Sequence, residues 1–217
     1  MFIGHFALAY AAERVEPDVS VGTSMAAAQL CDLLWPWLLL AGVEKFSIVP
    51  GDTAFTPLRF DSYPISHSLV TVIGWGALFG GVHWWRKRRL RAAALLAALV
   101  VSHWVLDFVT HRPDLPLAPW SQTKVGLGLW NSMPATLTIE IAMYAAGVWL
   151  YLGGTRALDA IGRWGATSLA LVLFLIYLAS SLGPPPPSWR AVALSAAPML
   201  LLPLWGGWAD RHRATAR

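Results

Sequence analysis

Apolar residues dominate this chain in long runs, and short polar or charged segments separate the runs. Runs of about 17 to 25 apolar residues are long enough to cross the hydrocarbon core of a bilayer as α-helices. The pattern predicts an all-α fold, a polytopic membrane bundle of about six transmembrane helices. The predicted spans are 25–42, 68–85, 92–110, 133–152, 165–183 and 190–209.

A shorter apolar segment, MFIGHFALAYAA, occupies residues 1–12. It resembles the apolar part and the cleavage site of a secretory signal, but it lacks the positively charged region that precedes the apolar part in such signals. We therefore expect a retained short helix here, either re-entrant or interfacial.

Composition and charge support the membrane class. The chain is 56% hydrophobic and 13% charged, whereas about a quarter of the residues of a soluble domain are charged. The net charge of +4 does not indicate nucleic acid as a partner, because the basic residues lie at the ends of spans. By the positive-inside rule, the side that carries most of them is cytoplasmic, and the C-terminus belongs to it. Eleven of the sixteen Lys and Arg residues share that side: Arg14, Arg86, Lys87, Arg88, Arg89, Arg91, Arg156, Arg163, Arg211, Arg213 and Arg217.

Two connections, 43–67 and 111–132, are long and rich in Pro, Gly, Asp and Trp. Connections of this length in a compact bundle are usually functional or disordered, and their aromatic content favours function. The tetraproline at 184–187 cannot be helical and predicts a stiff spacer. We therefore expect a site-bearing membrane domain at 1–152 and a C-terminal transmembrane helical pair at 153–217.

Three acidic residues, Asp32, Asp107 and Glu140, lie within predicted spans, and no Lys or Arg lies inside a span to pair with them, Arg190 being at the edge of the last one. A carboxylate at that depth costs about 2.5 to 3.5 kcal/mol. The three carboxylates therefore need protons or a cation.

The segment SHWVLDFVTH places His103, Asp107 and His111 at four-residue intervals. Residues four apart share one face of a helix, so an imidazole and a carboxylate can close on one ion. Taken alone, such a pair is more often structural. His5, Asp32 and His67 add to it a set of nitrogen and oxygen ligands that is typical of catalytic zinc and related divalent ions.

Five motifs in order, GHFALAY, AAQLCDLLWP, YPISHSL, SHWVLDFVTHRPD and GLGLWNSMPATLTIE, resemble the LexA-regulated, inner-membrane-associated family of bacterial metal-dependent hydrolases. The resemblance covers residues 1 to about 152. That family is distantly similar to the zinc phospholipase C and P1 nuclease superfamily, whose all-helical members cleave phosphoesters with two or three zinc ions. The resemblance implies a hydrolase in the bacterial inner membrane.

The resemblance also implies a ligand set for one to three divalent ions, zinc or manganese. One metal would lie among Asp32, His67, His103 and Asp107, a second between His5 and a bridging Asp107, and a third at His111 and Glu140. The superfamily has a histidine where this chain has Thr136, and it uses the amino group of its processed N-terminus, whereas Met1 here precedes His5 by four residues.

The expected chemistry is hydrolysis of a phosphoester or other ester in a membrane lipid or lipid-linked substrate. A bound metal would activate water and polarise the ester, and Asp32 would orient or deprotonate that water. Arg59 and Arg112, in the two long connections, would bind an anionic headgroup or, equally well, are ordinary loop charges.

Two alternatives belong to other classes. Chains of Asp, Glu and His also occur in ion- or proton-coupled transporters, although the sequence lacks the visible inverted repeats of many transporters. The other alternative is a structural membrane subunit with a vestigial metal site. The sequence contains no GxSxG, P-loop or HExxH motif, which removes the common serine, nucleotide and zincin chemistries.

Overall fold

The computed structural model describes residues 1–216. Most of the described chain is helical, and short antiparallel ribbons join the helices. The α-helices are α1 Ile3–Ala11, α2 Val21–Ala28, α3 Leu30–Leu40, α4 Leu69–Lys87, α5 Leu90–Thr110, α6 Met133–Gly154, α7 Ala160–Leu182, α8 Trp189–Ala196 and α9 Leu201–Asp210.

The ribbons refine the predicted all-α class. Strands β1 Lys45–Ile48 and β2 Leu58–Ser62 pair within one long connection, and β3 Leu115–Pro116 and β4 Lys124–Val125 pair within the other. Strands β5 Thr155–Ala157 and β6 Arg213–Thr215 form a third ribbon. In each long connection the chain folds back on itself, and pairing satisfies backbone groups that would otherwise lack partners.

Four helical segments are long and apolar enough to span a membrane: Leu90–Thr110, Met133–Gly154, Ala160–Leu182 and Trp189–Asp210. They coincide with four of the predicted spans. The segment predicted at 68–85 is the 19-residue α4, which contains four glycines and is not among these four. The segment predicted at 25–42 is divided at Gln29 into α2 and α3. The count of six spans thus stays a prediction.

Helix α1 is a real element of the bundle, and its core residues Ile3 and Phe6 are buried. It packs against α6, α2 and α5. Its predicted re-entrant or interfacial position in the membrane stays a prediction. The packing matters for the site, because it holds His5 against α5.

Helices α4 and α5 form a tight hairpin. Arg88, in the left-handed conformation with φ 56°, ends α4. Gly76 and Gly80 face α5, and a Cβ atom added at Gly80 would lie 2.6 Å from the carbonyl oxygen of Ala93. Small residues four apart let the two helices approach closely.

The C-terminal helices pack on the N-terminal ones. Helix α9 lies against α2 and α7, and α8 lies against α3. The predicted parts 1–152 and 153–217 therefore contact each other over these helices, and their division into domains stays a prediction.

Candidate metal centre

His103 and Asp107 lie one turn apart on α5 and face each other. The distance from His103 Nε2 to Asp107 Oδ2 is 3.2 Å, and both side chains are buried. This is the arrangement that the four-residue spacing predicts.

Asp32 and His67 come to the same point from two other elements. Asp32 is in the first turn of α3, and His67 lies just before Ser68, which caps α4. His67 Nε2 is 3.4 Å from Asp32 Oδ1 and 3.8 Å from Asp107 Oδ2. His103 Nε2 is 3.7 Å from Asp32 Oδ1.

A hydrogen bond fixes which nitrogen of His103 carries the proton. His103 Nδ1 lies 2.8 Å from the carbonyl oxygen of Ala28, an acceptor, so Nδ1–H donates. That carbonyl lies at the end of α2, where carbonyls lack an intrahelical partner. Nε2 of a neutral ring then presents a lone pair, and it has no hydrogen-bond partner although the side chain is fully buried.

His67 is oriented in the same way. The hydroxyl of Ser66 donates to Glu44 Oε2 at 2.6 Å, and the oxygen of that hydroxyl lies 2.6 Å from His67 Nδ1. Because the Ser66 proton goes to Glu44, His67 Nδ1–H donates to Ser66, and its Nε2 faces the carboxylates. Ring nitrogens of metal-binding histidines are commonly fixed by such outer hydrogen bonds.

Four nitrogen–oxygen distances within the cluster are close to those of a tetrahedral zinc site. With metal–ligand distances of about 2.0 to 2.1 Å, the edges of a tetrahedron around zinc are about 3.3 to 3.4 Å. The four nitrogen–oxygen distances range from 3.2 to 3.8 Å. Two imidazole lone pairs facing two carboxylates repel unless a cation or a proton lies between them, so the residues fit a divalent metal.

A second group of ligand atoms shares Asp107. His5 Nε2 lies 3.2 Å from Asp107 Oδ1, the oxygen that does not face His67 and His103. The nitrogen of Met1 lies 2.5 Å from the same Oδ1. The ring of His5 stacks on that of His103 with centroids 3.7 Å apart. Asp107 therefore faces two ligand groups with its two oxygens, as a bridging carboxylate does.

Glu140 lies beside the cluster and supports α1. Its Oε2 accepts from the backbone nitrogens of Phe2 at 2.9 Å and Gly4 at 3.4 Å. A carboxylate at the N-terminal end of a helix stabilises the helix dipole. In residues 1–216, Glu140 belongs to neither group of closely spaced ligand atoms.

His111 is also outside both groups. The four-residue spacing would place His111 on the same helix face as Asp107 only if the helix continued through His111. Helix α5 instead ends at Thr110, and His111 has extended backbone (φ −65°, ψ 147°). Its Nδ1 lies 2.9 Å from Asp114 Oδ1, which also accepts from the hydroxyl of Tyr63 at 2.8 Å. The third metal position implied for His111 and Glu140 is not assembled among the residues that the structure describes.

Burial lowers the pKa of His111, and the hydrogen bond to Asp114 only partly offsets this effect. Burial alone would raise the pKa of Asp114, but hydrogen bonds from His111, Tyr63 and Arg112 hold it below its ordinary value. His111 is therefore a neutral imidazole that donates Nδ1–H to an ionised Asp114.

The two arginines are engaged elsewhere. Arg112 binds Asp52 at 2.8 Å and Asp114 at 3.2 Å. Arg59, on β2, is exposed and lies 3.9 Å from Asp61. Neither lines the cavity beside the cluster, so the structure does not bring the predicted headgroup clamp to the site.

Glu44, Ser66 and Asp114 are the supporting residues that the sequence did not reveal. Glu44 is buried and accepts hydrogen bonds from Ser66 and from the backbone of Ile65. Along the chain it looks like any other loop acid. Its burial within the connection 43–67 distinguishes it from the other loop acids, and that burial is known from the structure and not from the sequence.

A cavity of about 760 Å³ opens beside the cluster. Asp32, His67, Asp107 and His111 line its polar end. The rest of the lining is mainly apolar and comes from Met1, Phe2, Trp35, residues 55–58, Phe60, Trp130 and residues between 176 and 205.

A family model described as YdjM inner membrane protein matches residues 2–184. The chain belongs to the YdjM inner membrane protein family. No curated protein and no solved structure matches the chain. Membership identifies an inner-membrane protein, in agreement with the four apolar helices.

The range that matches the YdjM family includes every candidate ligand and ends within the tetraproline. It excludes α8 and α9, although Val192 and Leu202 from these helices line the cavity. The candidate ligand side chains thus lie entirely in the part common to the family, and part of the apolar wall lies outside it.

Proposed function

We propose that this YdjM-family protein is a divalent-metal-dependent hydrolase that cleaves an ester in a lipid or lipid-linked substrate. One observation carries the proposal: the Nε2 atoms of His67 and His103, whose Nδ1 atoms are held by outer hydrogen bonds, face the carboxylates of Asp32 and Asp107 beside a cavity. Open sites of nitrogen and oxygen ligands are typical of catalytic metals.

When bound, a divalent metal supplies Lewis-acid activation of water and of the ester oxygen. His67, His103 and Asp107 are buried and would hold the metal. Asp32 is the more exposed carboxylate of the cluster, with a side chain 26% exposed. Its Oδ1 faces the histidines, and its other oxygen would accept the proton of the attacking water.

The nature of the cavity supports the substrate class. A mainly apolar wall beside a metal cluster suits an ester attached to a hydrocarbon chain. The resemblance to the zinc phospholipase C and P1 nuclease superfamily supports a phosphoester in particular, and this finer likeness is part of the proposal. Arg59 and Arg112 have no role in it, because both lie away from the cavity lining.

Metal content tests the proposal. His103→Ala and Asp107→Ala, purified beside the wild type, should each lose most of the bound zinc or manganese and all hydrolysis of bis(p-nitrophenyl) phosphate. His83→Ala and His212→Ala are the controls: His83 is a half-buried residue near the basic end of α4, and His212 binds Asp159. Equal metal content in all four variants refutes the hydrolase, and a metal-free wild type favours a proton relay or a structural subunit.

A further inference from the structure

The cavity is continuous from the metal cluster to the C-terminal helices. Asp32 and Asp107 lie at one end of its lining, and Leu202 and Trp205 of α9 belong to the same lining. Ile176 and Tyr177 of α7 complete the wall between them. A ligand with its reacting group at the cluster therefore extends along apolar side chains.

The charged groups of the cavity lining limit the charge that a bound ligand can carry. Among the described residues, no lysine or arginine side chain lines the cavity. Its ionisable side chains are those of Asp32, His67, Asp107, His111 and Tyr177, and the amino group of Met1, also in the lining, is paired with Asp107. Removing an uncompensated charge from water costs several kcal/mol per ion. The reacting group is therefore of low charge. What charge it carries lies at the end of the cavity beside the candidate ligands, where a bound metal would compensate it.

Volume limits how many chains fit. A water molecule occupies about 30 Å³ of liquid, and a methylene group takes nearly the same space. The 760 Å³ cavity therefore has room for about 25 heavy atoms at that density. One hydrocarbon chain with an ester fills it, while the two chains of a diacyl lipid exceed it.

We propose that the cavity binds one hydrocarbon chain of a membrane amphiphile together with its adjoining low-charge ester. This inference rests on the proposed function for the identity of the reacting group. A straight acyl or alkyl chain and a branched prenyl chain share this chemistry. The C-terminal helices α7, α8 and α9 form the wall against which the chain lies.

Two adjacent residues of α7 give a matched pair for the test. Ile176 is 41% exposed and lines the cavity, whereas Leu175 is 52% exposed and does not line it. Both positions have space for a larger side chain. Ile176→Trp should therefore occupy the cavity, and Leu175→Trp should not.

The probe is hexadecylphosphocholine that carries a diazirine in its chain, applied to EDTA-treated protein in nanodiscs of dioleoylphosphatidylcholine. We expect saturable photolabelling within residues 55–60, at Trp130 or within 176–205. Ile176→Trp should lower it at least five-fold and Leu175→Trp should leave it unchanged. Competition between two amphiphiles with the same headgroup distinguishes the two sources: unlabelled hexadecylphosphocholine competes better for a straight-chain site, and farnesylphosphocholine competes better for a prenyl site.

Absence of saturable labelling, or equal labelling of the two tryptophan variants, would overturn the single-chain site. Because labelling needs no turnover, its result is independent of the metal test. Saturable labelling of a protein that contains no metal as purified would refute the proposed hydrolase alone. Metal-dependent hydrolysis without saturable labelling would refute the chain site alone.

Discussion

The orientation of His67 depends on two residues that do not touch the ligand position. Ser66 accepts its Nδ1–H, and Glu44 in turn fixes the Ser66 hydroxyl. Loss of such an outer partner typically lowers metal affinity 10- to 100-fold, because the ring is then free to turn and to change tautomer. The effect is local and leaves the helices in place.

Ser66→Ala should therefore weaken zinc binding by about 10- to 100-fold, as measured by competition with a chelating dye. Ser68→Ala is the control, since Ser68 caps α4 by accepting from the backbone nitrogen of Thr71. Loss of a cap destabilises the fold by about 1 kcal/mol without touching His67. Wild-type affinity in Ser66→Ala, or an equal loss in both variants, would contradict the role given to Ser66.

Among single residues, the sequence predicts the candidate ligands better than the residues that orient them. His103 and Asp107 are predictable because a fixed helical spacing joins them. Asp32, His67 and His5 come from separate elements, and the prediction that they share a site depended on their ligand types and on the family resemblance. Glu44 and Ser66 act through the fold of the connection 43–67, which residue type alone does not encode.

Among the elements, the α4–α5 hairpin has a packing contact that a single methyl group can test. Gly80 lies against the backbone of α5, whereas a Cβ atom at Gly81 would meet nothing within 4 Å. The two glycines are neighbours in the same helix, so helix propensity acts on both alike, and alanine is favoured over glycine by about 1 kcal/mol.

Gly80→Ala should lower the midpoint of thermal unfolding by several degrees, because the methyl group pushes α4 away from α5, while Gly81→Ala should hold or raise it. Unfolding in mild detergent, followed by circular dichroism, measures the difference. An unchanged midpoint for Gly80→Ala would contradict the prediction, because it would show that α4 can move away from α5 without loss of stability. The same variant should also weaken metal binding, since His67 precedes α4 and His103 lies on α5.

Long apolar helices are the elements that periodicity and length predict well, and α5, α6 and α7 lie close to their predicted bounds. The break at Gln29 is different. One polar residue within an apolar run does not predict a helix end, yet here the end of α2 frees the Ala28 carbonyl for His103. The ribbons were missed because two- to five-residue strands carry too few residues for an alternating pattern.

In the molecule as a whole, the helix ends segregate by charge. Arg88 and Arg89 lie at the turn between α4 and α5, and Arg211 follows α9. The cluster lies toward the other ends, near the start of α4 and the end of α5. By the positive-inside rule we therefore expect the site to face the periplasm.

A membrane-impermeant thiol reagent tests this orientation in spheroplasts, in a Cys31→Ala background. Trp120→Cys, in the connection beyond α5, should react, because the native side chain is 76% exposed. Leu158→Cys, which follows β5 and is 58% exposed, should react only after the membrane is permeabilised. The opposite pattern would place the site on the cytoplasmic face.

The β5–β6 ribbon has a consequence for how the protein can vary. Ala157 pairs with Arg213, so the segment between them begins and ends at one point of the bundle. It carries α7, α8 and α9 and packs on α2 and α3, but it contains none of the candidate ligands. Substitutions on its cavity face, such as those at Ile176 and Leu202, would therefore change the shape of the pocket without changing the candidate ligands.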